Sequence, residues 1–347
     1  MSDILLRELS NADIDWLVTT GDRTAVSRNQ TFIQPGQQLD ALYLLLEGSL
    51  TLKDPATHSE IVQLARGDLF GEGWLFDIAP VAPIAVPEDA DKEALVLTVP
   101  KADIAAKLQQ DTSFAAHFYR ALALILSEHI RHLFERSELL RYQSGQVVKE
   151  ALLVFSELHD SDIDWMMNAG ALEKLAPGSV LLHPGRPVDA LYTVLDGQLV
   201  ISTTETPCDP LSTCRHGLTE QGHQQNFTPT AYLSRGGLPG IISFLDFQPL
   251  PVRIHAASES LLLAIPRQKV SIKLQSDLGF AARFYRVIAT QTATLLNTVI
   301  SSGKCVDCGD SMDMEMDDEL DLEALQQVSE GGAKFDWMLR HLGVGCR

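Results

Sequence analysis

Basic residues are scarce in this chain: 27 Lys and Arg face 46 Asp and Glu, a formal net charge of −19 over 347 residues. Neutralising nucleic-acid phosphates takes a clustered cationic surface, so no nucleic-acid partner is expected. An anionic membrane surface would repel the chain for the same reason. Long apolar runs are also missing, and stretches such as Ala121 to Leu126 fall far short of a membrane span, so no membrane insertion is expected. Met1 to Asp13 shows neither a basic segment nor an apolar one of signal-peptide type. The five cysteines follow no disulfide spacing, and a cytoplasmic protein with reduced thiols is the expectation.

Catalytic signatures are absent as well. No Ser/His/Asp set, phosphate-cradling glycine loop or paired-carboxylate motif stands out, and an enzyme is not expected. Cys305 and Cys308 form one CxxC pair, but a zinc site needs four ligands, and Cys208 and Cys214, which could supply the others, are spaced unlike a knuckle. No metal is therefore expected. His117, His129 and His132 fall on one predicted helix, where the last two read as solvent-facing.

What the chain does have is a sentence written twice. Asp13-Ile14-Asp15-Trp16 returns as Asp162-Ile163-Asp164-Trp165, and Asp40-Ala41-Leu42-Tyr43 as Asp189-Ala190-Leu191-Tyr192, both 149 residues on (162 − 13, 189 − 40). Phe118-Tyr119-Arg120 returns as Phe284-Tyr285-Arg286, now 166 on (284 − 118). Such a period is too long for a solenoid, so each copy is a domain. The expected organisation is residues 1–145, residues 146–303, and an acidic flexible tail with a short terminal helix at 304–347.

Each copy opens with a helical spacing of apolar residues that stops at Gly21 or Gly170. β-formers then take over. Leu42 to Leu52 reads as two strands folded over Glu47-Gly48, and Leu191 to Ile201 repeats it over Asp196-Gly197. A second pair surrounds Arg66 to Gly71, matched by Arg235 to Gly240, and a last strand runs into Pro100 or Pro266. Each copy ends in a long helix; the first, expected over Ser113 to Leu140, carries Phe114, Phe118, Leu122, Ile125 and Leu133 in one stripe. Thr290-Gln291-Thr292 interrupts the second stripe, which reads as less able to bury a face. The fold class expected is mainly β with flanking helices: two tandem jelly rolls, with a polar loop over 203–232 protruding from the second.

These motifs, Pro-Gly before Leu-Tyr, an apolar triplet before acidic-Gly, and Gly67-Asp68-Leu69-Phe70-Gly71-Glu72, resemble the cyclic nucleotide-binding domain of catabolite activators and protein kinase A regulatory subunits. The resemblance covers nearly all of both copies. It implies a site in which a Gly-Glu pair opens a short helix facing the cyclic phosphate, the Glu takes a ribose hydroxyl, and an Arg about a dozen residues later pairs with the phosphate.

On that pattern the first copy offers Gly71, Glu72, Gly73 and Trp74, with no Arg from 73 to 119; its expected strand reads Pro83-Ile84-Ala85-Val86-Pro87. The second offers Gly240, with Ile241 in place of the Glu, and Arg253 at a spacing of 13 (253 − 240) but about three residues beyond the expected place. Neither set is complete. Two readings stay open: a regulatory or adaptor protein built from degenerate domains, and a sensor of cyclic AMP or cyclic GMP with atypical contacts. The tail, Leu320 to Gly332, resembles a double-glycine leader with one extra residue, Glu330, before Gly331-Gly332. Together with the tandem domains it resembles cyanobacterial bacteriocin-type transport-associated proteins, which implies a protein partner in peptide export. A second copy of the chain is a further candidate partner, through the first long helix.

Overall fold

The computed structural model describes residues 4–27, 31–33, 39–53, 60–76, 84–87, 93–135, 155–204, 227–302 and 322–344. The chain divides into two compact units, Met1–Ile130 with Ile288–Ser301, and Arg131–Val287 with Ser302–Arg347.

In the first unit, α1 (Ile4–Glu8) and α2 (Asn11–Thr20) precede the sheets. Ser10 and Asp13 cap α2 reciprocally: the Asp13 N–H donates to the Ser10 hydroxyl, and the Ser10 N–H donates to the Asp13 carboxylate. Gly21 ends α2 in extended rather than left-handed backbone. What it needs there is room, since a Cβ would lie 2.8 Å from Leu97 Cγ.

Among the described residues seven antiparallel strands follow: β1 (Asp22–Val26), β2 (Ala41–Glu47), β3 (Leu50–Lys53), β4 (Glu60–Leu64), β5 (Leu69–Phe70), β6 (Ile84–Pro87) and β7 (Ala94–Pro100). They form sheets of order β1-β7-β2-β5 and β4-β3-β6. The two strands expected over Leu42 to Leu52 are present, but they belong to different sheets. Glu47-Gly48 is therefore a corner that carries the chain between layers rather than a hairpin turn. Tyr43, Leu45, Leu50, Val62, Leu64, Phe70 and Val96 meet in the core, with Leu52 packed on its margin. Helices α3 (Lys101–Gln110) and α4 (Thr112–Glu135) close the copy. Phe114, Phe118, Leu122 and Ile125 of α4 are all buried, each worth about 1.5–3 kcal/mol of apolar transfer.

The second unit repeats the plan. Helix α5 (Asp160–Ala169) leads into β8 (Ala171–Leu175), β9 (Val180–Leu182), β10 (Ala190–Asp196), β11 (Leu199–Thr204), β12 (Phe227–Leu233), β13 (Val252–Ala256) and β14 (Ser260–Pro266). Their sheets run β10-β14-β8 and β12-β11-β13-β9. The segment expected as a loop over 203–232 is partly ladder, because β11 reaches Thr204 and β12 begins at Phe227. Helix α6 (Ile241–Asp246) lies between β12 and β13, and α7 (Arg267–Ser276) and α8 (Leu278–Ser302) close the second sequence copy, with Ile288–Ser301 of α8 falling in the first unit.

Three expectations about helices are corrected. Thr292 does not spoil the face of α8; it is buried, and its hydroxyl donates to the Ile288 carbonyl at 2.7 Å, so the polar group is satisfied within the helix. His129 is buried rather than solvent-facing. The terminal helix is not short: α9 (Leu322–His341) has 20 residues and runs through Gly331-Gly332. Its Phe335, Met338 and Leu339 are buried, Phe335 against the ring of Phe155 at 4.9 Å. Lys334 donates to the carbonyls of Ser156 and Leu158 at 3.2 and 2.8 Å, satisfying acceptors at the end of the 155–157 helical turn.

Candidate functional site

In each copy the cassette begins at a glycine that no other residue could replace without strain. Gly71 has φ +81°, and a Cβ there would lie 2.7 Å from the Tyr43 ring; Gly240 has φ +75°, and its Cβ would lie 2.4 Å from Leu182 Cδ1. Left-handed backbone and close approach both require glycine. Directly after Gly71 a five-residue 3-10 turn, Glu72–Phe76, leaves the sheet; directly after Gly240 the six-residue α6 does so.

The two turns are anchored alike. In the first, the Trp74 indole N–H donates to the Ala41 carbonyl at 3.3 Å, and the Lys101 ammonium lies 5.2 Å from the Trp74 ring. In the second, Arg267, which follows Pro266 as Lys101 follows Pro100, sits 5.1 Å from the Phe244 ring and 4.6 Å from the Phe247 ring and donates to the Phe244 carbonyl. Trp74 is thus committed to holding the turn in place, with Gly73 beside it half-buried.

Glu72 differs in kind. The residue is half-buried, yet burial pushes its carboxyl up to about 7, against a smaller lowering by its own backbone N–H. Ile241, its counterpart, is buried and apolar, so the second cassette offers no acceptor at that place.

The strand register locates Arg253. On β13 it stands opposite Ser202, and on β6 the residue opposite Lys53 is Ile84. Since Lys53 and Ser202 are equivalent (202 − 53 = 149), Arg253 occupies the position of Ile84. Along β13, Val252, Ile254 and Ala256 are buried, while Arg253 alternates with them, half-buried and stacked 5.2 Å from the Phe227 ring. The structure brings Gly71, Glu72, Gly73 and Trp74 together in one unit, and Gly240, Ile241 and Arg253 fall in the other. Cys305 and Cys308 lie outside the described residues, and among the described residues no metal-binding cluster occurs. No described helix is long and apolar enough to cross a membrane.

Sequence reasoning missed the side-chain contacts that tie each leading helix to its closing helix. Asp13 meets His117 at 2.9 Å, and Asp162 accepts two hydrogen bonds from Arg283 at 2.7 and 2.9 Å. The repeat itself was the signal, because Asp13 recurs as Asp162 in one offset and His117 as Arg283 in the other.

The regulatory domain of protein kinase A from Toxoplasma gondii, solved with cAMP, is similar over 80% of this chain and 89% of its own at 14% identity and a TM-score of 0.29. The regulatory subunit of a cAMP-independent protein kinase A from Trypanosoma brucei matches over 78% and 83% at 13% identity and 0.29. The N-terminal domain of a Streptomyces coelicolor A3(2) transcriptional regulator matches over 41% and 90% at 22% identity and 0.33. No curated protein matches the chain. The model of one family, the cyclic nucleotide-binding domain, matches twice, over residues 23–111 and 172–277. With more than half of its length in those two matches and the same double-sheet plan built in each, the chain belongs to the cyclic nucleotide-binding domain family and carries that domain in tandem.

Proposed function

We propose that this protein is a non-enzymatic regulatory protein of the cytoplasm whose first domain retains an acceptor for a ligand hydroxyl, while its second has lost that acceptor. The observation that carries the reading is the contrast between Glu72, a carboxyl that burial pushes up to about 7, and the buried, apolar Ile241 at the same place. Without an arginine in the first cassette, a cyclic phosphate has no charge-assisted partner there, and an ionised Glu72 would add repulsion. Cyclic AMP and cyclic GMP then bind weakly, and the domains act mainly through contacts with a protein partner. Peptide-export machinery is the specific candidate, on the strength of the leader-like Leu320 to Gly332.

Calorimetry of the full chain with each cyclic nucleotide tests the reading. The expected result is a dissociation constant above about 1 μM, corresponding to less than about 8 kcal/mol of binding free energy, weakened further by Glu72→Ala. Tight binding that Glu72→Ala leaves unchanged would overturn it. A genuine sensor with atypical contacts is the second reading, favoured by the same retained carboxyl; tight binding abolished by Glu72→Ala would establish it.

A further inference from the structure

The segments that lead into the two domains match residue for residue at the same offset of 149 (155 − 6), so Leu6 corresponds to Phe155, Ile14 to Ile163 and Val18 to Met167. Ion pairs place them alike: Glu8 meets Arg120 of α4 at 3.1 Å, and Glu157 meets Arg286 of α8 at 2.8 Å. The reciprocal cap recurs too, on Ser10 and Asp13 in α2 and on His159 and Asp162 in α5.

Their burial differs. Phe155 and Ile163 are fully buried and Met167 is half-buried, whereas Leu6 is 64% exposed, Ile14 half-buried and Val18 36% exposed. Ile14 and Val18 stand one turn apart on one face of α2. In the second unit α9 packs against α5, lays Phe335 on Phe155 and directs Lys334 to the carbonyls of Ser156 and Leu158. Single exposed apolar side chains are ordinary on a protein surface. Three of them at the positions that a helix covers in the companion domain make a docking face.

One neighbouring position sets what that face accepts. Ser156, whose carbonyl accepts from Lys334, corresponds to Arg7, whose side chain is 66% exposed and shares Glu8 with Arg120. An ammonium arriving where Lys334 sits would meet the Arg7 guanidinium, a like-charge contact that disfavours α9, whether of this chain or of another copy. A carboxylate at that place would pair with it instead.

We propose that Leu6, Ile14 and Val18 form a docking face on the first domain for an amphipathic helix of a partner protein. That helix presents an aromatic residue followed by large apolar ones at spacings of three and four, as Phe335, Met338 and Leu339 do, with an acidic residue where α9 has Lys334. The face rests on the reading that the domains act through a protein partner, and not on Glu72.

The test uses the full chain and a fluorescent peptide of residues 322–344 carrying Lys334→Glu. A lactam between Asp336 and Arg340→Lys, two positions exposed on α9, holds the peptide helical. Anisotropy should show saturable binding that Leu6→Glu weakens about tenfold or more, since it sets a carboxylate in the apolar contact, and that Glu72→Ala leaves intact. The peptide with the natural Lys334 should bind about fivefold more weakly. Absence of saturable binding overturns the proposal. So does binding unchanged by Leu6→Glu, which would mean that the peptide had displaced α9 from Phe155, and so does equal or tighter binding of the Lys334 peptide. A full-chain dimer that Leu6→Glu dissociates, read by light scattering, would give the face to a second copy and overturn the partner assignment. Should Leu6→Glu fail to fold, Val18→Glu applies the same criterion. Failure of the peptide to bind, with cyclic nucleotides still binding weakly, would sink this face and leave the reading of Glu72 standing.

Discussion

His117 Nδ1 lies 2.9 Å from the Asp13 carboxylate, joining the N-terminal part of α4 to the start of α2. Burial alone would push the Asp13 carboxyl up, but hydrogen bonds from His117 and Ser10 outweigh it and hold the group below its ordinary range. A depressed carboxyl contributes stability that is present above the unfolded value, about 4, and lost as pH falls through the folded value. Asp13→Asn should therefore lower stability at pH 7 by about 1–3 kcal/mol and flatten the acid limb of the stability curve. Urea unfolding between pH 2.5 and 7 checks both. His117→Arg, which copies the second unit, should preserve stability within about 1 kcal/mol.

Glu72 has the opposite sign. With a folded value raised to about 7, its protonated form is favoured by folding, so stability falls as pH rises from the ordinary glutamate range to about 7. Glu72→Gln should raise the melting temperature at pH 8 by about 2–5 °C and change it little at pH 5. Calorimetric melts at the two pH values decide; an equal effect at both would mean that the carboxyl is not desolvated.

Adding the missing cation should work at one strand position and fail at its neighbour. In register, Ala85 stands opposite Leu52, which packs against the core that holds Tyr43 and Phe70; Ile84 stands opposite Lys53. Ala85→Arg is expected to strengthen cyclic AMP binding about tenfold or more, consistent with a charge-assisted hydrogen bond of about 1.5–3 kcal/mol. Ile84→Arg should leave it unchanged. Competition binding with a fluorescent cyclic nucleotide compares the two variants directly.

Removing the Phe335 ring from its place against Phe155 should destabilise the second unit by about 3–5 kcal/mol, the cost of a large-to-small change in a packed site. Phe155→Ala should cost a similar amount, and the double variant less than the sum, because the two rings share one contact. Chemical unfolding of the three variants measures this.

Much of the fold was legible because the repeat says the same thing twice. Gly-ended leading helices, β-formers around acidic-Gly corners and an apolar stripe through Phe114, Phe118, Leu122 and Ile125 all describe what the structure contains. Sheet membership was not legible. A Glu-Gly turn between two apolar strands reads identically whether the strands pair or part, and only the long-range ladders of β2 with β7 and of β3 with β6 decide it. The cassette glycines and Glu72 could be found by motif. The place of Arg253 could not be fixed by counting from Gly240, because what fixes it is the partner strand; the constant offset of 169 beyond the insertion (235 − 66, 253 − 84) was the available clue. Thr292 was misjudged because a threonine can return its hydrogen bond to its own helix.

The passage of α9 through Gly331-Gly332 bears on how the tail would meet a peptidase. Proteases draw their substrates into extended conformation, so a bond inside a helix is cut only after several residues on either side have unwound. Each of the two glycines weakens the helix by about 1 kcal/mol relative to alanine, while Phe335, Met338, Leu339 and the Lys334 hydrogen bonds hold the residues just beyond them. Whether this chain loses its last residues is therefore governed by the free energy of opening one docked helix, and a peptidase that prized it open would have to compete with Phe155 for Phe335.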